Sequence, residues 1–288
     1  MRFTKNKIKT RFIVFFCFSF STGVASISSD SLKTKKNKPT FYVGWGYNRD
    51  WYSKGDIHLQ SEPNNPQVIK GTSYSYDFTV YDATAHNRPQ FENIPDVKNI
   101  TVPQFSVRMG AFFNDKKDFG FELNYDHAKY IVDDYQKVRV AGHVNGVYFD
   151  KDTILNPTNF LHYEHSDGAN FFMLNLIKRW KLAESKNLKN NVGFILKPGF
   201  GFVYPRTEVS LFGNRVNNGW KVSGIVGGVE AGFRAEFLKN GYLEFTGKGG
   251  YANYINTLVQ GRGNGKASNA FWFFEAILIV GYQFQLGK

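Results

Sequence analysis

Six histidines and the acids near them are the residues of this chain that could carry chemistry. Asp56, His58, Asp77, Asp82 and His86 fall in one stretch, and a hairpin folded back there would set His58 beside Asp77, orienting an imidazole as a general base. Asp126 and His127 form a second candidate pair. His162 and Glu164 would share one face of an extended segment while His165 points away, so three ligands do not converge and no metal is expected. No Gly-x-Ser-x-Gly elbow occurs, and Ser166 next to His165 would face the other way. Gly261, Gly263 and Gly265 lack the following helix that a phosphate loop needs, and no cofactor is expected. The plainer reading of these histidines is loop side chains making surface hydrogen bonds. The catalytic assignment stays open, with His58, Asp77, His127 and Asp126 as its candidates.

The elements that would position them have a two-residue period. Trp272, Phe274, Ala276, Leu278, Val280, Tyr282, Phe284 and Leu286 are apolar, and the intervening set includes Glu275, Gln283 and Gln285. This period means strand, and a run of this length suits a tilted bilayer crossing of about 9–11 residues. The same split recurs. Phe41, Val43, Trp45 and Tyr47 oppose Tyr42, Gly44, Gly46 and Asn48, and Phe105 to Phe113 alternates around Arg108. Phe119 to Tyr125 alternates around Glu122, and further runs fall near 170–181, 192–204, 225–237 and 243–251. About eight crossings result, an even number as bacterial barrels have. Joints alternate between short (114–118, 183–190, 238–241) and long (49–101, 132–168, 206–218, 257–269), with Asn240-Gly241 read as a type I′ turn. Tyr74 to Val80 and Val138 to Val144 also alternate. They raise the count to about ten if they cross, and the preferred reading is hairpins projecting outward.

Mean hydropathy of -0.37 with 17% aromatics is too polar for helical spans and suits a wall with a polar lumen side. Arg2, Lys5, Lys7, Lys9 and Arg11 precede an apolar run ending at Phe20, which reads as a signal peptide over 1–26. A basic tail over 27–39 and the barrel over 40–288 follow. The leader's five cations and the tail's net three leave +4 of the chain's +12, so the basic balance does not argue for nucleic acid. Cys17 lies in the leader, which removes thiol catalysis and disulfides from the mature chain.

The expected fold is therefore an all-β antiparallel transmembrane barrel in the outer membrane, with long external loops and short periplasmic turns. Its inward set carries Glu122, Asp126, Glu230, Glu236, Glu244 and Glu275 among Arg108, Arg179, Lys197, Arg234 and Lys248, which reads as a packed ion-pair network in a filled lumen. Trp45, Trp51, Trp180, Trp220, Trp272, Tyr282 and Phe284 are expected as interfacial aromatics. In its leader, alternating strands, aromatic final strand and loop asymmetry, the region 40–288 resembles the small outer-membrane barrel superfamily typified by the transmembrane domain of outer-membrane protein A. The resemblance implies lipid, lipopolysaccharide and barrel-assembly machinery as partners. The expected role is an envelope structural or surface-interaction protein that meets a surface or host ligand through its loops. The alternatives are a lipid-modifying esterase or acyltransferase at the outer rim, and a narrow channel for small apolar molecules.

Overall fold

In the computed structural model the described residues are 38–62, 67–88, 104–114, 116–165, 167–186 and 190–285. The leader and nearly all of the basic tail lie outside them, as do Ser166 and Leu286.

The barrel strands are β1 (Thr40–Tyr52), β2 (Phe105–Phe112), β3 (Phe119–His127), β4 (Phe171–Glu184), β5 (Asn191–Val203), β6 (Gly224–Phe237), β7 (Gly241–Leu258) and β8 (Lys266–Phe284). Each pairs antiparallel with the next, and β1 pairs with β8 from Phe41↔Phe284 to Tyr52↔Phe273, which closes the cylinder. Closure satisfies the edge N–H and C=O groups that lipid could not. The count is eight, and the Tyr76–Ala83 and Lys137–Val144 strands lie outside the barrel wall.

Alternation sorts the two faces. Trp45, Met109, Leu123, Leu176, Phe200, Phe233, Phe245, Trp272 and Val280 stand exposed on the outer wall, where an oily band facing lipid costs nothing. Inward positions carry the buried charges, with glycines where large rings must fit: a side chain at Gly110 would run into Tyr42, and one at Gly281 into Tyr242. The aromatics are not all girdle residues. Trp45 sits part-way up the wall in register with Val107 and Val280, and Trp220 lies beyond the barrel strands in Asn214–Trp220, stacked on Tyr204 at 5.6 Å.

Above the outer end the loops fold. Gly55–Gln60 pairs with the upper end of β8 at Lys266–Asn269, and Tyr76–Ala83, Lys137–Val144 and Val147–Ile154 follow in order, so the barrel sheet continues as a flange. A separate five-stranded sheet runs Asn214–Trp220, Arg206–Leu211, Leu161–His165, Tyr130–Val132 and Ala85–His86. The inner faces of the two sheets supply Ile57, Leu59, Phe78, Val80 and Val140 from one side, and Val132, Leu161, Tyr163, Val209 and Leu211 from the other, to one apolar core. That core runs on into the barrel mouth through Phe171, Tyr254, Phe271 and Phe273.

Two turns refine the sequence reading. Between β6 and β7 the left-handed residues are Leu238 and Lys239, with Phe237 paired to Gly241, so Asn240-Gly241 is not the type I′ pair; Asn240 instead donates its amide to the Gln283 carbonyl at 2.7 Å. The type I′ pair is Asn145-Gly146, with φ of 51° and 78°.

His165 sits where the cap meets the barrel, stacked on Tyr254 at 4.8 Å, and burial pushes its imidazole down to about 3. An unfolded histidine takes its proton near pH 6.5. Stability from the neutral ring is therefore complete above that value and falls by up to about 1.4 kcal/mol per pH unit as pH drops towards the folded value. Hydrogen exchange at Leu161–His165 is expected to accelerate between pH 7 and pH 4, beyond the chemical pH dependence of exchange, and His165→Phe is expected to flatten that response.

Candidate functional site

The lumen contents form three layers. At the periplasmic end Tyr42, Phe112, Ile177, Tyr242, Ile277 and Ile279 make an apolar plug. The Arg234 guanidinium lies in it, 3.6 Å from the Tyr242 ring centroid and 4.4 Å from that of Tyr42, so ring faces replace some of the water it has lost.

The middle layer is ionic. Lys197 Nζ lies 3.0 Å from Glu122 Oε2, 3.3 Å from Glu230 Oε1 and 2.7 Å from Glu244 Oε2. Arg108 reaches Asp126 at 2.7 Å and Glu230 at 3.3 Å, and Arg234 reaches Glu244 at 3.0 Å. Lys248 contacts Asp126 and lies 2.9 Å from Glu275. Towards the periplasm Glu236 accepts from Arg179 at 2.9 Å and from Lys117 at 3.2 Å. Neutral donors complete the acids: Tyr42 donates to Glu122 at 3.0 Å, Ser106 to Asp126 at 2.6 Å and Thr246 to Glu230 at 2.8 Å. The Arg108, Lys197 and Glu122 side chains have no exposed surface, so this layer holds its charges away from water.

The third layer is aromatic. Tyr130 stacks on Phe271 at 4.3 Å, Tyr52 packs edge-on against both, and Tyr254 and His165 continue the stack into the cap. An aromatic layer thus closes the ionic one at the cap end, while at the periplasmic end the plug stands level with the cluster of Arg179, Glu236 and Lys117.

Three residues of this interior lie beyond the inward set read from sequence. Asp50 continues the inward face of β1, is 2% exposed, and stands in register with Glu275. Gln104, just before β2, donates to Asp50. Lys117, in the β2–β3 turn, tops the Glu236 cluster. With Asp50 and Lys117 included, the lumen acids Asp50, Glu122, Asp126, Glu230, Glu236, Glu244 and Glu275 face the bases Arg108, Lys117, Arg179, Lys197, Arg234 and Lys248, seven to six. The balance stays within one charge of neutral, and the surplus acid lies where Asp50 faces Glu275.

The histidine candidates separate. His58 Nε2 and Asp77 Oδ1 are 2.7 Å apart on the exposed face of the flange, with Gln60 donating to the other Asp77 oxygen at 3.2 Å. His127 and Asp126 do not meet: adjacent strand residues face opposite ways, so Asp126 enters the lumen while His127 bonds Asn170 at 2.9 Å and stacks on Phe105 at 5.0 Å. His86 pairs with Asp133, and His162 pairs with Asp134 at 2.7 Å. Among the described residues no group of three or more His, Cys, Asp or Glu side chains could hold a metal ion. A residue that the sequence reading overlooked is Ser268, directly cross-strand from His58 and so on its face. Only the strand register reveals it.

Substitutions separate the two sides of the lumen count. Lys197→Met leaves three carboxylates facing one another, with an expected loss of about 3–5 kcal/mol in urea unfolding from detergent micelles. Asp50→Asn removes one acid from the excess and is expected to be neutral or stabilising on the same measurement.

No protein-family model matches the chain, and no curated protein resembles it in sequence. Among solved structures it is similar to Neisserial surface protein A (12% identity, 82% of this chain and 96% of that one, TM-score 0.30). It is also similar to Ail, the attachment invasion locus protein of Yersinia pestis (10%, 86% and 99%, TM-score 0.29), crystallised with the heparin analogue sucrose octasulfate. A third is the outer membrane protein OprG of Pseudomonas aeruginosa (12%, 86% and 97%, TM-score 0.31). At such overlaps the likenesses bear no weight, and the assignment rests on the chain's own strand register. Eight antiparallel strands closed on themselves, apolar outside and ionic within, give this chain the fold of the small outer-membrane β-barrels.

Proposed function

We propose that the chain is an outer-membrane anchor that presents a folded cap to a surface or host ligand, after export by its leader and insertion by the barrel-assembly machinery. The observation that carries this reading is the cap's construction. Three of the four long connections contribute strands to it, the upper end of β8 joins its flange, and their side chains share one apolar core with the barrel mouth. A rigid scaffold holding structured loops is how such folds present binding surfaces. The unexposed side chains of Arg108, Glu122, Lys197 and Glu230 fill the lumen and argue against conduction, so the barrel serves as support in lipid and lipopolysaccharide.

The test is retention of cells displaying the chain on immobilised extracellular proteins and glycans. Retention above empty-vector cells is expected. It should fall to background when the Lys137–Ile154 hairpin is replaced by a short Gly-Ser turn. Retention indistinguishable from empty-vector cells would reject the reading. Planar bilayers holding the purified protein are expected to show no conductance steps above bare membrane.

A second reading has one observation in its favour. Ser268, His58 and Asp77 share the outward face of the flange, with Ser268 four residues beyond Trp272, expected at the membrane interface, about 13 Å along the strand. That height suits esters of the outer leaflet. Against it, His58 and Asp77 are half exposed, so water would compete at the pair. The anchor reading expects no labelling by a fluorophosphonate probe; labelling abolished by both Ser268→Ala and His58→Ala would establish the esterase instead.

A further inference from the structure

The Val147–Ile154 strand ends the flange with a free edge. It pairs with Lys137–Val144 and has no partner on its other side among the described residues. The type I′ turn at Asn145-Gly146 fixes which backbone groups are free. Val144↔Val147 is the closing pair of that turn and exchanges both of its hydrogen bonds inward. Alternation then turns the N–H and C=O groups of Tyr148, Asp150 and Asp152 to the open side. Leu155 N donating to the Gln136 carbonyl at 3.0 Å keeps the same parity at the other end of the hairpin.

Sheet proteins guard such edges with proline, bulges or charge. This one has neither proline nor bulge over eight residues, and it leaves Val147 69% and Tyr148 60% exposed. Beside it runs a groove of about 450 Å³ lined by Val144, Val147, Phe149, Lys151 and Phe160, where the cap core reaches the surface. A strand added to the edge would seat alternate side chains in that groove.

Charge selects the occupant. Asp150 is held by Arg139 at 2.7 Å and Asp152 by Lys137 at 3.2 Å, whereas Lys151, on the groove side, has no ion-pair partner among the described residues. A second copy fits poorly in the registers centred on the middle of this edge. Two-fold pairing of this edge sets each residue against one of the same facing, so registers centred on Asp150 or on Lys151 oppose Asp150 to itself or to Asp152. The geometry points to β-strand addition at Tyr148–Asp152 by an extended segment of another protein, carrying an acid across from Lys151 between apolar residues at alternate positions. This inference rests on the surface-interaction reading and names the class of partner.

The probe is the synthetic peptide Thr-Val-Thr-Glu-Thr-Val-Thr-Val, with a control carrying Lys in place of Glu, added to the full chain in nanodiscs. Hydrogen-exchange mass spectrometry is expected to show protection confined to 147–154 with the Glu peptide. Lys151→Glu is expected to lower the Glu peptide's affinity about tenfold and to raise that of the Lys peptide. Asp150→Pro removes one free donor and is expected to abolish binding, with heat-dependent gel mobility checking that the barrel is intact. Equal binding of both peptides, protection elsewhere, or an Asp150→Pro variant that binds normally would overturn the proposal. Concentration-dependent protection of the edge without peptide would assign it to a second copy and overturn it equally. In the cell-retention assay, a cap replacement that abolishes retention beside an Asp150→Pro variant that keeps it would sink this inference and leave the parent reading standing.

Discussion

The seam between β1 and β8 is the constraint on which the rest depends. Every backbone donor and acceptor in the hydrocarbon region must find a protein partner, and the continuous register from Phe41↔Phe284 to Tyr52↔Phe273 leaves the wall no edge. Closing the wall has an inward consequence. An eight-stranded cylinder is just wide enough for its own side chains, so the inward positions become an interior that must be packed and neutralised. Lys197 among three glutamates and Arg234 between two tyrosines are two local solutions to that one requirement.

The barrel was legible in the sequence because two-residue alternation is local and each crossing repeats it. The flanks of Arg108, Glu122, Lys197 and Glu230 announce their facing without any knowledge of partners. What was hidden depends on contacts between distant strands. Asp50 continues the alternation of β1 but its opposition to Glu275 shows only in the β1–β8 register, and Ser268 acquires meaning only when Gly55–Gln60 joins β8. The five-stranded sheet of the cap was missed because some of its pieces are as short as Ala85–His86, too short for a period to register. Turn chemistry misled once: an Asn-Gly pair stands at both 145–146 and 240–241, but an extra residue between β6 and β7 moves the left-handed positions to Leu238 and Lys239.

Among the histidine pairs, sequence proximity was the poorer guide. His127 and Asp126 are neighbours in the chain and are turned apart by the pleat, whereas His58 and Asp77 are separated in sequence and meet through strand pairing. For a sheet protein the chemistry of a candidate site lies in register, so cross-strand geometry decides which acids can orient which imidazoles.

The cap core and the aromatic layer at the barrel mouth belong to one apolar system, and this coupling explains why the outer loops are ordered. Phe271 and Tyr254, on barrel strands, pack against Tyr130 and His165, on cap strands, so exposing the cap's inner face would also uncover the top of the ionic layer. Water reaching Glu275 and Lys248 would weaken an ion pair whose strength comes from its dry surroundings. A loop that merely tethered a ligand would have no need of such a link. A cap whose shape must persist against a pulling contact gains from it, because force applied to the flange passes through β8 into a wall fixed by lipid.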